Sequence, residues 1–319
     1  MNELKNKKIL VTGGAGFIGS HIVDRLVKEE ASVVVLDSLC SGKIKNIEHH
    51  KGKIKFIQKD LRDDSALDEA LKGVELVSHQ AALRSVPKSM EKPLEYHDVN
   101  VTGTLKLFLK AKENGIKRIA FASSSSVYGE RFDFPEKENE YPKPISPYAA
   151  TKLIDEHYAY LFSKQFSLGV VSLRYFNVYG PRQSLDDEYA VVIPKFITCL
   201  LEGKNPPIYG NGKQERDFTY VENVVEANIL ALTMPGVEGE VFNIGNGAPN
   251  SVNELLNTLN KIMNKNISAA YLPPRAGDVL KTHSDISKAA KLLGWQPRIG
   301  FEEGLKRAVE WFKNVERGA

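Results

Sequence analysis

Cysteine is scarce in this 319-residue chain: only Cys40 and Cys199 occur, far apart in sequence. Two such thiols make no disulfide framework and fit a reducing compartment, so a cytoplasmic location is expected. Long apolar runs are missing as well. The lead "MNELKNKKILVTGG" passes from a short charged stretch straight into a strand, without the apolar core of a signal peptide. No run approaches the ~20 apolar residues of a membrane helix, so no membrane contact is expected. Charge of one sign is not in excess either, with 43 basic against 40 acidic residues. That balance gives no reason to expect nucleic acid as a partner, and any positive site has to be local. The His49–His50 pair and the scattered His21, His97, His157 and His283 show no metal-ligand spacing, so no metal is expected.

What the chain does have is regular alternation. At 42% hydrophobic and 26% charged it can bury an ordinary globular core. "KILVTGG", "ASVVVLD", "KIKFIQKDL", "VELVSHQAA", "KRIAFASSSS" and "LGVVSLRYFNVYG" read as buried strands. Between them "GFIGSHIVDRLVKEE", "SALDEALKG", "YHDVNVTGTLKLFLKAKENG" and "YAATKLIDEHYAYLFSKQF" read as helices. This order predicts an α/β fold, a doubly wound parallel sheet of the Rossmann type. After Pro181, glycine and proline become frequent and the alternation fades. The spacing predicts a nucleotide-binding domain over 1–180 and a smaller α/β substrate-binding lobe over 181–319. The stretch around 218–245, with the strand-like "GEVFNIGNG", is expected to return to the first domain. Phe301, Leu305, Ala308, Val309 and Phe312 share one face of a terminal helix.

"VTGGAGFIGSH" places Gly13, Gly16 and Gly19 after a strand and at the mouth of a helix. Glycines there let backbone N–H groups approach a pyrophosphate at the helix N-terminus. Asp37 closes the second strand about 20 residues further on, where a carboxylate binds ribose hydroxyls. Its charge disfavours a 2′-phosphate and favours NAD over NADP, although Lys43 and Lys45 stand nearby. Asp60 ends the third strand, either reaching an adenine edge or standing as an exposed turn acid. Gln80, Ala81 and Ala82 end the fourth, small enough to let a dinucleotide cross the sheet edge. His79 beside them reads as a packed or capping residue rather than a catalyst.

Tyr148 and Lys152 lie four apart at the start of a helix and so share a face. A lysine ammonium beside a phenol favours the phenolate, as does the positive nicotinamide of an oxidised cofactor. Moving a tyrosine from its usual pKa near 10 to about 7 takes roughly 4 kcal/mol. The phenolate can then act as a general base on a sugar hydroxyl, with a serine as hydrogen-bond partner.

Together, "TGGAGFIGSH", "DVNVTGTL", "SSSSVYGE", "SPYAATK", "LRYFNVYGPRQ" and "YGNGKQERDFTYVEN" resemble the extended short-chain dehydrogenase/reductase superfamily, over nearly the whole chain. Within it, "HQAALRSVPKS", "YAVVIPKF" and "SDISKAAKLLG" are most similar to UDP-hexose 4-epimerases, those acting on UDP-N-acetylglucosamine in particular. The resemblance implies NAD as cofactor and Ser124, Tyr148 and Lys152 as the catalytic set. It also implies cofactor contacts from Phe17, Ile18, Ser38, Gly42, Leu61, Asn100 and Tyr175. Family dehydratases carry an Asp-Glu pair after the serine, and decarboxylases a glutamate at the second position. This chain has Ser125 and Ser126, which points to redox-neutral epimerisation.

For the substrate, the resemblance implies that Arg216 and Arg275 clamp a UDP diphosphate, with Arg84 near the pyrophosphate or sugar. Asn177 is expected on the sugar diphosphate, and Val192, Tyr209 and Asp278 around the uridine. Ser124, Ser125, Ser126 and Tyr148 would face the sugar. Thr282 stands where members restricted to plain hexoses have tyrosine, leaving room for an N-acetyl group. The rival readings are a UDP-uronic acid 4-epimerase or decarboxylase and a non-catalytic dinucleotide sensor. Helices around 100–114 and 150–166 are the family's dimer faces, so a homodimer is expected. Leu105, Leu107, Phe108 and Leu161 could serve that interface or the core.

Overall fold

The computed structural model describes residues 3–184, 192–274 and 279–317. Its centre is a parallel sheet of seven strands. These are β1 (Lys8–Thr12), β2 (Ser32–Leu36), β3 (Ile54–Ile57), β4 (Leu76–His79), β5 (Arg118–Ser124), β6 (Gly169–Tyr175) and β7 (Val241–Ile244). Their order across the sheet is β7-β6-β5-β4-β1-β2-β3. Strand succession reverses between β1 and β4, which opens a crevice at the carboxyl ends there. The expected doubly wound α/β fold is the one observed.

Side-chain alternation explains why both faces are covered. Ile9 and Val11 of β1, with Val33 and Val35 of β2, enter one buried cluster. Leu10, Val34 and Leu36 enter another on the opposite face. The first layer is closed by α1 (Phe17–Lys28), and the second by α2 (Asp64–Leu71). Two short helices follow, α3 (Val86–Glu91) and α4 (Pro93–Tyr96). A π-helical turn, His97–Thr102, then leads into α5 (Gly103–Glu113). The sequence reads as one helix there; the wider turn rotates Asn100 inward, fully buried.

α6 (Pro147–Gln165) packs along β5 and β6 after a Ser146 cap, whose hydroxyl accepts from Ala149 N–H. Three further helices, α7 (Val192–Leu201), α8 (Val221–Thr233) and α9 (Val252–Met263), precede the terminal α10 (Phe301–Arg317). α8 lies on the first layer against α1 and the sheet, next to the chain's return as β7. The other helices build a separate core from Phe196, Leu200, Leu255, Leu259, Leu305 and Phe312. Three short strand pairs trim this second core: Val178–Tyr179 with Thr219–Tyr220, Glu215–Arg216 with Asn250–Ser251, and Pro207–Tyr209 with Ala270–Leu272.

Leu107 and Phe108 are wholly buried in the sheet's second layer, so they serve this subunit's own core. Leu161 and Leu109 are exposed instead. No helix among the described residues is long and apolar enough to cross a membrane.

Candidate active site

A cleft of about 280 Å³ runs along the carboxyl ends of the strands, from the β1–α1 turn to the start of α6. Gly13, Gly16, Phe17, Ile18 and Gly19 form its floor. Gly13 has φ +66°, and a Cβ on it would meet the backbone of Ala81 at 2.8 Å. A Cβ on Gly19 would collide with the Gly13 carbonyl. The first turn of α1 has Gly16 as its N-cap and no side-chain cap. Its free N–H groups and the helix dipole therefore face the cleft, as a dinucleotide pyrophosphate requires.

Asp37 and Ser38 line the adjoining wall. Ala15 N–H donates to Asp37 Oδ2 (2.9 Å) and Leu39 N–H to Oδ1 (2.8 Å). Burial raises this carboxyl's pKa against those two bonds. Gly42 packs against the same carboxylate. Asp60 and Leu61 line the far end. Asp60 is bound by the Arg62 guanidinium, which lowers its pKa, so it is a paired acid rather than a free turn residue. Lys43, Arg182 and Ser123 also face the cleft.

Gln80, Ala81, Ala82 and Tyr175 make the middle section. The Asn228 amide of α8 donates to the Tyr175 hydroxyl (2.7 Å), and Gln80 Nε2 donates to Asn228 Oδ1 (2.9 Å). Asn228 is fully buried and aims both cleft residues, yet its sequence context carries no motif that marks it. Asn100 is not on the cleft wall. Its Oδ1 accepts from Leu83 N–H (2.8 Å) and its Nδ2 donates to Leu83 O (3.0 Å) and the Thr151 hydroxyl (3.0 Å). It shapes the loop that carries Leu83 and Arg84. His79 is buried between the Thr12 and Thr104 hydroxyls, and burial drives its pKa down to about 3. It is a neutral structural histidine.

Tyr148, Lys152 and Arg84 meet at the end of the cleft. Ser124 and Arg84 both stand near enough to the Tyr148 phenol to lower its pKa. Ser124 Oγ accepts from the N–H (3.2 Å) and hydroxyl (2.9 Å) of Ser126, which turns the serine run into a fixed loop, with Ser125 between them. The electrostatics differ from the sequence expectation. Burial raises the phenol's pKa; the groups pulling it down are Ser124 and Arg84. Lys152 is buried over the Phe121 ring and itself lowered to about 8 by desolvation, against the pull of Asp155 and Glu156. The protein alone therefore holds the phenol protonated.

Asn177, held at φ +31°, donates from Nδ2 to Thr282 Oγ1 (2.8 Å). The same oxygen accepts Asp217 N–H (3.1 Å). Val192 opens α7, Tyr209 ends its short strand, and Arg216 sits in the Glu215–Arg216 strand with Nη1 donating to Glu215 O (2.8 Å). These three occupy separate elements. Among the described residues, the cleft wall includes none of Asn177, Val192, Tyr209, Arg216 and Thr282. Arg275 and Asp278 lie outside the described residues.

A glycine-floored crevice, an uncapped helix start and a carboxylate after β2 define a dinucleotide-binding protein of the doubly wound class. The NAD dependent epimerase/dehydratase family model matches residues 9–245, and the chain belongs to that family. It is 42% identical to a UDP-N-acetylglucosamine 4-epimerase from Methanobrevibacter ruminantium, solved with UDP-N-acetylmuramic acid. The TM-score is 0.93, over 98% of this chain and 99% of that one. The Thermotoga maritima UDP-glucose 4-epimerase, solved with UDP-glucose, is 40% identical (TM-score 0.92, 97% and 99% covered). A UDP-glucuronic acid 4-epimerase from Bacillus cereus, solved with UDP-glucuronic acid and NAD, is 34% identical (TM-score 0.89, 97% and 99% covered).

Proposed function

We propose that this protein inverts carbon 4 of UDP-hexoses through a transient 4-keto sugar, with NAD held in the cleft. UDP-GlcNAc/UDP-GalNAc and UDP-Glc/UDP-Gal are its substrates. The observation that carries the reading is Tyr148 and Lys152 together on the wall of a glycine-floored cleft, with Ser124 beside the phenol and followed by Ser125 and Ser126 rather than acids. An elimination would need a general acid at those positions. Epimerisation does not.

Bound NAD supplies reversible hydride acceptance at carbon 4, and its positive ring favours the phenolate form. The chain's own groups do the rest. Tyr148 removes the proton from the sugar's 4-hydroxyl, and Ser124 holds that oxygen in line. Lys152, buried against the base of the cleft, adds positive potential. Arg84, with Arg216 and Arg275 from the second lobe, grips the diphosphate. Asn177, Val192, Tyr209 and Asp278 position the nucleotide end. Holding the nucleotide firmly and the hexose loosely would let the 4-keto sugar present either face to a bound cofactor.

In this reading 1–180, together with the return segment near 218–245, form the NAD domain, and 181–319 the UDP-sugar lobe. A homodimer forms over the α5 and α6 faces, where Leu109, Tyr160 and Leu161 are exposed. Its place is the cytoplasm, where free Cys40 and Cys199 remain reduced.

Tyr148→Phe should lower turnover by roughly 10²–10⁴-fold while leaving NAD binding intact, read by NMR of the 4-epimer. Wild-type turnover in that variant sinks the mechanism. Thr282→Tyr should depress activity on the acetylated pair selectively. Because it also deprives Asn177 of its acceptor, Thr282→Ser serves as the control that keeps the hydroxyl. Equal loss on both sugar pairs would refute the assignment of Thr282. Arg84 on the cleft wall also suits a substrate carboxylate, so a UDP-uronic acid 4-epimerase is the second reading. A UDP-sugar panel, watched for 4-epimers and for released carbon dioxide, separates these activities.

A further inference from the structure

Beside the cleft, the adjacent His49 and His50 converge with Asp24, which is distant from them in sequence. Asp24 Oδ1 of α1 lies 2.9 Å from His49 Nε2 and 2.8 Å from His50 Nε2. All three atoms lie within 4.8 Å of one another. The short turn Glu48–His50 aims both rings the same way, with centroids 4.1 Å apart and planes at 43°. The histidine spacing by itself excludes nothing once Asp24 arrives from another element.

We propose that Asp24, His49 and His50 form a binding site for a divalent transition-metal ion of the zinc type, with solvent as the fourth ligand. Two imidazole nitrogens and one carboxylate oxygen form a borderline donor set, which suits Zn²⁺ and its neighbours better than Mg²⁺ or Ca²⁺. The distances are close to those needed. Bonds of about 2.0–2.1 Å in a tetrahedron set ligand atoms roughly 3.3 Å apart. The two distances from Asp24 to the imidazoles have to open by only about half an ångström, and His49, with its side chain 46% exposed, has room to move. An imidazole ligates through Nε2 when its ring proton sits on Nδ1.

Arg182 holds the other oxygen, with Nη2 2.7 Å from Asp24 Oδ2. It fixes the carboxylate with Oδ1 toward the rings, as an outer partner of a metal ligand does. Its positive charge also opposes the incoming cation, so binding should be reversible by chelators rather than structural. Arg182 and Asn46 both line the cleft, which places the site on the outer flank of the cofactor loop.

The test uses the full-length protein, freed of metal by a chelator and titrated with Co²⁺ alone. The expected result is one saturable visible-absorption transition at a single equivalent, displaced by Zn²⁺. His49→Gln and His50→Gln should each weaken Co²⁺ at least about tenfold, with helical content and NAD binding unchanged. Absence of a saturable transition overturns the proposal, leaving the cluster a hydrogen-bonded pin. Unchanged affinity in either variant overturns it too.

Discussion

The two sides of the catalytic end are built on opposite physical terms. Along α6, ionisable groups are sunk into the core. Glu156 accepts from Arg174 at 2.9 Å (Nε) and 2.7 Å (Nη2) and from the Ser123 hydroxyl, all nearly solvent-free. Arg174 stacks over Tyr128 at 4.7 Å. One residue before Glu156, Asp155 is wholly buried, and neither of its oxygens has a hydrogen-bond partner. Across the site, Asp217 is buried just as deeply but fully satisfied. It accepts Asn246 N–H (2.6 Å), Gly247 N–H (3.1 Å), Ser284 N–H (2.9 Å) and the Ser284 hydroxyl (2.6 Å). A carboxylate given four donors needs no cation beside it. The α6 side tunes charge, whereas the Asp217 side fixes shape and holds the backbone next to Thr282.

That contrast breaks most visibly at Glu156. Glu156→Gln leaves Arg174 buried without its counter-charge, and such losses reach about 3–5 kcal/mol. Denaturant unfolding should show a drop of that order; a change below about 1 kcal/mol would mean that the pair is not a stabilising element.

Asp217→Asn comes next. It replaces an acceptor of four bonds with one whose NH2 must face at least one of the N–H groups, a loss of about 1–3 kcal/mol. Asp217 N–H bonds to the Thr282 hydroxyl and Asp217 does not line the cleft, so with Thr282 on the sugar as proposed, KM for the UDP-sugar should rise about tenfold or more, with NAD affinity unchanged. Equal weakening of both ligands would show that the two sides are not independent.

The smallest effect, and one of opposite sign, is expected at Asp155. Burial raises this acid's pKa well above its usual 3.8. The unfolded chain releases the proton near its ordinary value while the folded chain retains it. Stability is therefore lost as pH rises above about 4, until the folded group also ionises. Asp155→Asn removes that loss and should stabilise by about 1 kcal/mol at pH 8, and less at pH 4.5, read from melting temperatures. A destabilised variant at pH 8 would mean that the charge is needed there. Removing Asp155 also takes away a partner that raises the Lys152 pKa, so the lysine should titrate below its present value of about 8.

Much of the fold was legible because its rules are local. Val33 to Leu36 alternate between two buried faces, and such strands separated by amphipathic helices leave few arrangements. The glycine turn is equally local, since Gly13 has to accept a left-handed backbone and Gly19 a neighbouring carbonyl. α8 escaped the reading for a physical reason. It is buried on several faces, from Val221 and Val224 to Ala227, Ile229 and Leu232, so no polar stripe marks its period. The setting of Asn100 was equally hidden, because the π-helical turn that directs its amide to Leu83 leaves no mark in the residue pattern.

The strand order along the chain, the glycine-floored turn, and a tyrosine and lysine on one helical face are written in the order of the residues alone. Each depends on residues within one or two turns of each other. Tertiary structure alone decided which charges act on the Tyr148 phenol, because burial and approach are three-dimensional quantities. Arg84 reaches it from another loop, while Lys152 is drawn into the field of Asp155 and Glu156. It likewise decided that Asn228 aims Tyr175 and that Asp24 meets two histidines. Those contacts form when the packing of α1 and α8 against the sheet brings distant residues within bonding distance, and no spacing along the chain encodes that distance.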